Sequence, residues 1–432
     1  MLHVRRTAIP TYNDEVNGLI SALSHLRLIP IFLMVCSAIL SGNPAEPQGS
    51  EALVEEMVKH QLASLSLEEK IGQLFILDLY DENGRLPVQV DRRVRELIRV
   101  YKPGGIILYA GNIRTVDQTV RLVSDLQEMS KVPLIIAVDE EGGLVSRLTR
   151  SGEMGATELP AARIVGMTGS EDLAYATGRI MGKELRALGI NMNLAPVADI
   201  LTDPFSSIGS RSFSSDPIQV SNMVSAVVRG IQDEGVSSVL KHYPGHGAIS
   251  QDTHHGLVVA EHDLQRLEAI ELLPFQKGIE AGADGIMTAH IVFPNITRDD
   301  LPASFSLFLL EEVLRGKLHH KKLIITDSLV MDAIDEFWGP GDSAVAAVEA
   351  GVDIVLRPID VEAARSAILE AVRAGDISES RIDDSVKRIL RVKQSRRIFE
   401  TSLRREQPRE VLGNPEHLAI VERIYRSAEN GQ

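Results

Sequence analysis

The chain has 432 residues, of which 44% are hydrophobic and 24% are charged, a composition typical of a globular protein with a large buried core. Its formal net charge of −15 argues against nucleic acid as the main partner, because phosphate binding needs a basic surface. Cys36 is the single cysteine, which excludes an intrachain disulfide and a cysteine-based zinc site.

The first fifty residues combine a basic start with a short apolar run. Arg5 and Arg6 precede the segment LRLIPIFLMVCSAILSG (26–42), and the polar stretch NPAEPQGS follows it. The run is too short and too interrupted for a membrane span, whereas basic, apolar and then small residues are typical of a secretory signal. The tetrapeptide that ends at Cys36, LMVC, also resembles a bacterial lipobox, in which the cysteine carries a lipid.

We therefore expect residues 1–50 to form a signal, a lipoprotein-like leader or an unstructured segment. The protein is then exported to the periplasm, or attached to a membrane through its N-terminus. A plain N-terminal extension on a cytoplasmic protein is the alternative.

From about Leu53 onward, short apolar runs alternate with longer segments of helical period, which predicts strands separated by helices. The predicted strands are IGQLFILDL (71–79), GGIILYAG (104–111), PLIIAVDEE (133–141), GINMNLAPVADI (189–200), SSVLKHYPG (237–245), ADGIMTAHI (283–291), KLIITDSL (322–329) and VDIVLRP (352–358).

Apolar strands joined by helical crossovers indicate a parallel sheet that is buried on both faces. Eight such units favour an α/β fold of the closed (β/α)8 TIM-type barrel, forming a single catalytic domain over residues 51–400. No glycine-rich nucleotide-binding motif follows a strand. Residues 401–432 are too few for another domain and are predicted to form a helical tail.

Polar residues end most of the predicted strands. Because a barrel presents the carboxyl ends of its strands on one face, where the active site is built, their recurrence predicts an enzyme. These residues are Tyr109, Asp139, Asp199, Lys241, His242, His290, Asp327 and Arg357.

The stretch KHYPGHGAISQDTHHGL (241–257) contains four of the chain's twelve histidines. A metal site, a phosphate cradle, a general acid/base loop and a solvated turn are the possible interpretations. Pro244, Gly245 and Gly247 exclude the helix on which histidines four apart chelate zinc, and a single lysine adds little charge to a phosphate cradle.

General acid/base chemistry fits this stretch better. Asp252 and His254 are two residues apart in a predicted extended segment, so both side chains lie on one side of the backbone. A carboxylate bonded to one ring nitrogen fixes the tautomer and raises the basicity of the other nitrogen. A dyad that merely fastens a surface loop is the alternative.

Asp327, in ITDSLVMDAI (325–334), favours the catalytic interpretation. It follows a very apolar strand, where a carboxylate is costly unless it is hydrogen-bonded or used in chemistry. A carboxylate nucleophile with a separate proton donor is what retaining glycoside hydrolysis requires.

Five motifs in the same order resemble the β-N-acetylglucosaminidases of glycoside hydrolase family 3, over about residues 66–392. They are VDEEGG, IGSRSFSSDP, KHYPGHGAISQDTHHG, MTAH and IITDSLVMDAI. The pattern KHxPGHG followed by DxH marks the branch of the family in which a His–Asp dyad on a loop is the acid/base.

The resemblance implies that Asp327 is the nucleophile, that His254 is the general acid/base and that Asp252 orients it. It implies no metal and no cofactor. His246 is expected to brace the loop. Asp199 and His290 are expected at the pocket floor, where a structural role and a ligand contact are both open. The resemblance also implies that the terminal sugar is bound by Asp139, Arg147, Arg211, Lys241 and His242.

Two positions depart from the family pattern DQEGGR. Glu140 adds a carboxylate where a glutamine is expected, and Leu144 replaces an arginine. Either change could alter the substrate preference of the pocket.

The function implied by the resemblance is that of a retaining exo-β-N-acetylglucosaminidase of the bacterial peptidoglycan-recycling type. Such an enzyme releases GlcNAc from the non-reducing end of peptidoglycan fragments or muropeptides through a covalent glycosyl-enzyme intermediate. The alternatives are a GlcNAc-binding lipoprotein without hydrolytic activity, and a family 3 β-glycosidase or phosphorylase of other specificity.

Overall fold

The computed structural model of the protein describes residues 47–150, 152–249, 256, 258–297, 301–400 and 407–430. The chain divides into two compact units, Met1–Glu56 and Met57–Gln432. The apolar run 26–42 lies outside the described residues, as do Asp252 and His254. Among the helices that the structure describes, none has the length and apolar character needed to cross a membrane.

Eight parallel strands form the central sheet, and each matches one of the predicted apolar runs. Strand β1 (Phe75–Leu77) pairs with both β2 (Gly105–Ile107) and β10 (Val355–Leu356). Ile325 of β9 (Leu323–Thr326) bridges to Ile354 beside β10, so the sheet closes on itself. The predicted (β/α)8 barrel is therefore confirmed. Its strands are β1 (Phe75–Leu77), β2 (Gly105–Ile107), β3 (Ile135–Val138), β4 (Met192–Asn193), β5 (Ser237–Tyr243), β7 (Gly285–Thr288), β9 (Leu323–Thr326) and β10 (Val355–Leu356).

Two further strands lie outside the barrel. Strands β6 (Val258–Val259) and β8 (Ile291–Val292) form a separate two-stranded parallel sheet. In chain order, β6 comes after β5, and β8 comes after β7. This small sheet was not predicted, because two-residue strands leave no periodicity in the sequence.

Helices connect the barrel strands, and several of them begin at a Ser, Thr or Asp whose side chain caps the first turn. Ser66 and Glu69 form a reciprocal capping box at the helix that precedes β1, which satisfies two backbone N–H groups. The helices are Pro47–Ala63, Leu67–Gln73, Arg92–Tyr101, Val116–Glu128, Ala162–Met167, Glu171–Leu188, Pro217–Asp233, Leu264–Ala269, Leu272–Glu280, Pro294–Thr297, the π-helical Phe308–Lys317, Asp332–Asp335, Pro340–Ala350, Val361–Ala374, Glu379–Ser395, Pro408–Val411 and Pro415–Asn430.

The amino end of the barrel is closed by apolar packing. Ile389 and Val392, on the helix Glu379–Ser395, belong to the same buried cluster as residues from the barrel strands. Beside them Lys393 is fully buried, its Nζ donates to Gln73 Oε1 at 2.8 Å, and burial lowers its pKa to about 7. A site can therefore form at the carboxyl end of the barrel.

The C-terminal segment is helical and packs on the barrel's outer layer. His417, on the helix Pro415–Asn430, places Nδ1 2.9 Å from Oε1 of Glu184. The same carboxylate accepts hydrogen bonds from the backbone N–H groups of Gly413 and Thr157. These contacts join the tail to the helix Glu171–Leu188 and to the loop after β3.

Candidate active site

A cavity of about 440 Å³ opens at the carboxyl ends of the barrel strands. Six of its lining residues were predicted from the sequence as catalytic or sugar-binding groups, and the structure brings them together. They are Asp139, Arg147, Arg211, Lys241, His242 and Asp327.

Lys241 is the centre of an ionic network on one wall. At the end of β5, its Nζ lies 2.7 Å from Asp139 Oδ1 and 2.6 Å from Glu141 Oε1. Arg211 forms a two-pronged pair with Glu141, with both N–O distances at 2.8 Å. The network therefore fixes donors and acceptors around the space where a sugar would lie.

Burial alone would raise the pKa of each carboxyl group in this network, but the neighbouring cations outweigh it. Lys241 and Arg211 lower the pKa of Glu141 to about 2, and Lys241 and Arg147 hold that of Asp139 below its ordinary value. Both groups are thus ionised at neutral pH. Glu141 belongs to the VDEEGG motif, but the sequence predicted no role for it.

His242 is oriented from behind by Asp199. The Nδ1 atom of His242 lies 2.7 Å from Asp199 Oδ2, and Asp199 also accepts from the backbone N–H groups of His242 and His246. With Nδ1–H donating to the carboxylate, Nε2 lies 3.5 Å from Arg211 on the cavity side. Asp199 therefore positions a wall residue and does not itself line the cavity.

Asp327 follows β9 and lines the same cavity. Its Oδ1 accepts a hydrogen bond of 2.7 Å from the backbone N–H of Ser328, and its own N–H donates to Thr288 O at 3.0 Å. The carboxylate is thus held by its own turn, and the backbone of Asp327 is held by the adjacent strand. It makes no ion pair with a described residue.

His290 supports this turn and does not line the cavity. Its Nε2 lies 3.2 Å from Ser328 O and its Nδ1 lies 2.9 Å from Ser304 Oγ. Burial lowers the pKa of His290, so the ring is neutral at pH 7 and can donate through one nitrogen while accepting through the other.

Arg147 lies at the boundary of the ionic network. Its terminal nitrogen is 3.4 Å from Asp139 Oδ2. Glu140 fixes the backbone there, because its Oε2 accepts from the N–H groups of Arg147 at 2.8 Å and Leu148 at 3.0 Å. The added carboxylate therefore shapes the loop from behind, and the other departure, Leu144, is 72% exposed.

The chain is tightly fixed up to the point where it leaves the described range before Asp252 and His254. Gly247 packs so closely on Ile200 that a Cβ there would lie 2.1 Å from Ile200 O. His246 is bound through its backbone to Asp199, its Nδ1 is buried without a partner among the described residues, and burial lowers its pKa. The roles of the two dyad residues stay predictions.

Some residues of the site were not assigned from the sequence. Tyr109 and Arg357 stand at strand ends and line the cavity, while Tyr80 and Asp78 contact them from the loop after β1. Asp78 stands in the first apolar run as the other polar strand-end residues do, so its position was a usable signal. Within the described ranges, no group of three His, Cys, Asp or Glu side chains could hold a metal ion.

The chain matches known proteins over most of its length. The model of the glycosyl hydrolase family 3 N-terminal domain matches residues 66–392. The β-hexosaminidase A of Pseudoalteromonas piscicida is 32% identical over an alignment of 403 residues, and the match covers 84% of this chain and 67% of that protein. The β-hexosaminidase of Hydrogenovibrio crunogenus is 36% identical over an alignment of 285 residues, and the match covers 64% of this chain and 78% of that protein.

A solved structure shares the fold. The family 3 β-N-acetylglucosaminidase from Paenibacillus sp. str. FPU-7 is 38% identical, with a TM-score of 0.79 over 84% of this chain and 69% of that one. The predicted resemblance and the prediction of an enzyme are thereby confirmed. The chain belongs to glycosyl hydrolase family 3 and is a glycoside hydrolase, similar to the family's β-hexosaminidases.

Proposed function

We propose that the protein is a retaining exo-β-N-acetylglucosaminidase that releases GlcNAc from the non-reducing end of peptidoglycan fragments. One observation carries the proposal: Asp327 lines the same cavity as the ionic network of Asp139, Lys241, Glu141 and Arg211. A nucleophilic carboxylate beside fixed donors and acceptors for hydroxyl groups is what an exo-glycosidase needs.

In the first step, an Asp327 oxygen attacks the anomeric carbon and forms a glycosyl ester while the glycosidic C–O bond breaks. The departing oxygen takes a proton from the imidazolium of His254, which Asp252 orients. In the second step, His254 removes a proton from water, whose oxygen attacks the same carbon and releases Asp327. Two displacements retain the anomeric configuration.

The sugar is held by the ionic network in this proposal. Asp139 accepts hydrogen bonds from hydroxyl groups, while Lys241 and Arg211 donate to sugar oxygens. With its Nδ1–H bonded to Asp199, His242 accepts a hydroxyl hydrogen bond through Nε2. Because these groups are already bonded to one another at 2.6–2.8 Å, little reorganisation is needed when the substrate binds.

The substrate proposal is supported by the relatives, which include β-hexosaminidases and a β-N-acetylglucosaminidase. Export to the periplasm, or attachment to a membrane through the N-terminus, would bring the enzyme to peptidoglycan. The intact mass and cell fraction of the protein recovered from its host test this part, since cleavage before Cys36 or lipidation of it changes both.

Activity is tested with purified protein and aryl β-GlcNAc or aryl β-glucoside, with and without phosphate. We expect free GlcNAc from the first substrate, with β-configuration at first release by NMR. Binding without turnover would support the GlcNAc-binding alternative, and a sugar phosphate product would support a phosphorylase. Either result would overturn the proposal.

Asp327→Asn supplies the matched test of the nucleophile. The variant should bind substrate and lose turnover, because an amide oxygen cannot form the ester intermediate. Asp335→Asn is the control, since Asp335 is exposed on the helix that follows the same loop and does not line the cavity. Full activity in Asp327→Asn would remove this residue as the nucleophile.

A further inference from the structure

The loop after β3, residues 139–161, is folded back on itself. The side chains that its first half contributes to the cavity are Asp139, Glu141, Val145 and Arg147. In the same half, the N–H of Gly143 donates to Leu159 O of the second half at 2.9 Å. A Cβ at Gly143 would lie 2.7 Å from Cα of Ala161. Because the two halves contact each other through their backbones, the position of the second half fixes the position of the cavity side chains.

Glu184, on the helix Glu171–Leu188, holds the second half of this loop. Its carboxylate is buried and accepts from the N–H of Thr157 at 3.0 Å and from the Thr157 hydroxyl at 2.5 Å. Two further donors come from the C-terminal tail, here residues 407–430: the N–H of Gly413 and Nδ1 of His417, both at 2.9 Å. A buried carboxylate is costly unless it is hydrogen-bonded, so loop and tail each supply two donor groups that this one needs.

The tail also contacts the loop and its continuation directly. Gly413 has φ of 58°, and a Cβ there would lie 2.2 Å from Gly155 O in the second half of the loop. The helix Pro415–Asn430 packs on the helix Ala162–Met167, which follows the loop and contacts the turn Gly209–Arg211. Arg211 pairs with Glu141 of the loop. The tail thus lies behind both partners of this ion pair.

These contacts involve a part of the chain that the family model does not describe, since the match to that model ends at residue 392. The proposed bond-breaking groups belong to other loops. Asp327 follows β9, and residues 252–254 come after β5 in the chain. The tail therefore supports the sugar-binding wall, formed by Asp139, Glu141, Arg147 and Arg211, from behind.

We infer that the C-terminal tail positions the sugar-binding wall, with His417 and Glu184 as the positioning residues that fix the loop after β3. This inference rests on the proposed function, which assigns the wall to the terminal sugar. Without the His417 donor, Glu184 is less well satisfied and its hold on Thr157 weakens. The displaced wall then binds the sugar less tightly in the ground state and in the transition state alike, so KM rises while kcat is kept.

The test uses the full chain and two variants of His417. His417→Phe keeps a ring but removes the donor, whereas His417→Asn places an amide N–H near the position of Nδ1. We expect His417→Phe to raise KM for aryl β-GlcNAc at least about fivefold, with kcat within about twofold of wild type. His417→Asn should restore most of the wild-type KM. A ring that served packing alone would make the smaller Asn the more damaging change, and that order would overturn the inference.

Hydrogen exchange followed by mass spectrometry reports on the loop without any substrate. In His417→Phe, peptides from residues 142–158 should exchange at least about tenfold faster, while peptides from β9 exchange as in the wild type. Even acceleration over the whole barrel, with a lower apparent kcat and an unchanged KM, would show only a loss of folded protein and would overturn the inference. Unchanged exchange with unchanged KM would overturn it as well.

Arg409→Gln is the matched control within the tail. Arg409 pairs with Asp117 at 2.7 Å, and both side chains are exposed, so its loss should leave KM and the exchange of the loop unchanged. Changes equal to those of His417→Phe would mean a general loosening of the tail and would overturn the roles of His417 and Glu184.

Thr157→Val repeats the test from the loop side and replaces His417→Phe if that variant does not fold. It removes one donor to Glu184 and should raise KM, whereas Thr157→Ser keeps the hydroxyl and should restore KM. Equal KM values in the two variants would overturn the inference. If the wild type does not hydrolyse aryl β-GlcNAc, the proposed function fails, and the exchange of residues 142–158 still decides whether the tail fixes the loop.

Discussion

Nζ of Lys241 lies 2.7 Å from Oδ1 of Asp139, although Lys241 is in strand β5 and Asp139 follows strand β3, and these strands do not pair with each other. The ion pair therefore spans the end of β4. Lys241 also contacts Glu141, and its side chain is 3% exposed. Burial lowers the pKa of Lys241, but Asp139 and Glu141 outweigh it and raise the pKa.

Lys241→Met should destabilise the fold and the site together, because two buried carboxylates lose their shared cation, which leaves Glu141 with Arg211 and Asp139 with the long contact to Arg147. We expect a loss of about 3–5 kcal/mol in the free energy of unfolding and a fall in kcat/KM of at least about tenfold. Urea unfolding and initial rates measure the two effects. Lys277→Met removes an exposed pair and should cost about 0.5 kcal/mol; equal losses in both variants would contradict this account.

Glu140→Gln should stabilise the protein in a pH-dependent way. Burial raises the pKa of Glu140 from 4.5 to about 7, with Glu184 adding to the rise. The folded state therefore binds a proton that the unfolded state releases between these values, so stability falls as pH rises from about 4.5 to 7. The glutamine keeps an oxygen for the N–H groups of Arg147 and Leu148 but has no charge to bury.

The variant should therefore match the wild type near pH 4.5 and exceed it at pH 8 by about 2–3 kcal/mol. Urea unfolding at several pH values measures the difference. Glu158→Gln, at an exposed position in the same loop, should show no such trend. If the stability difference between Glu140→Gln and the wild type is constant with pH, the raised pKa of Glu140 is refuted.

Lys393→Met should stabilise the protein in the opposite pH direction. Burial lowers the pKa of Lys393 from 10.5 to about 7, so between these values the unfolded state binds the extra proton and wild-type stability rises with pH. The gain in Tm should be largest at pH 6–7 and shrink toward pH 10. Lys387→Met, at a half-exposed position of the same helix, should show a small and constant effect.

The barrel was predictable from the sequence because eight strands are buried on both faces and read as uninterrupted apolar runs. Because both faces of the strands are buried, apolar and polar residues do not alternate along them. The sequence therefore does not show whether the side chain of Glu140 points into the cavity or away from it. The contact of Arg357 with Asp78 joins residues 279 positions apart across the seam of the barrel. The spacing of residues along the chain does not predict such a contact.

Gly247→Ala should impair catalysis through the backbone that leads to the dyad. A Cβ there would lie 2.1 Å from Ile200 O, which is backbone and cannot swing aside. We expect kcat to fall more than KM rises, because the acid/base segment shifts while the ionic network stays in place. Gly316→Ala has a nearest contact of 3.3 Å and should keep wild-type rates; normal kcat in Gly247→Ala would contradict the expectation.

The central claim is that Asp327 becomes covalently bonded to the sugar during turnover. The direct measurement is mass spectrometry of the protein after reaction with a 5-fluoro GlcNAc fluoride, which slows release of the intermediate. The account predicts one added sugar, located by peptide mapping on Asp327 and absent from Asp327→Asn. A sugar on another residue, or turnover of the reagent with inversion and no adduct, would contradict it.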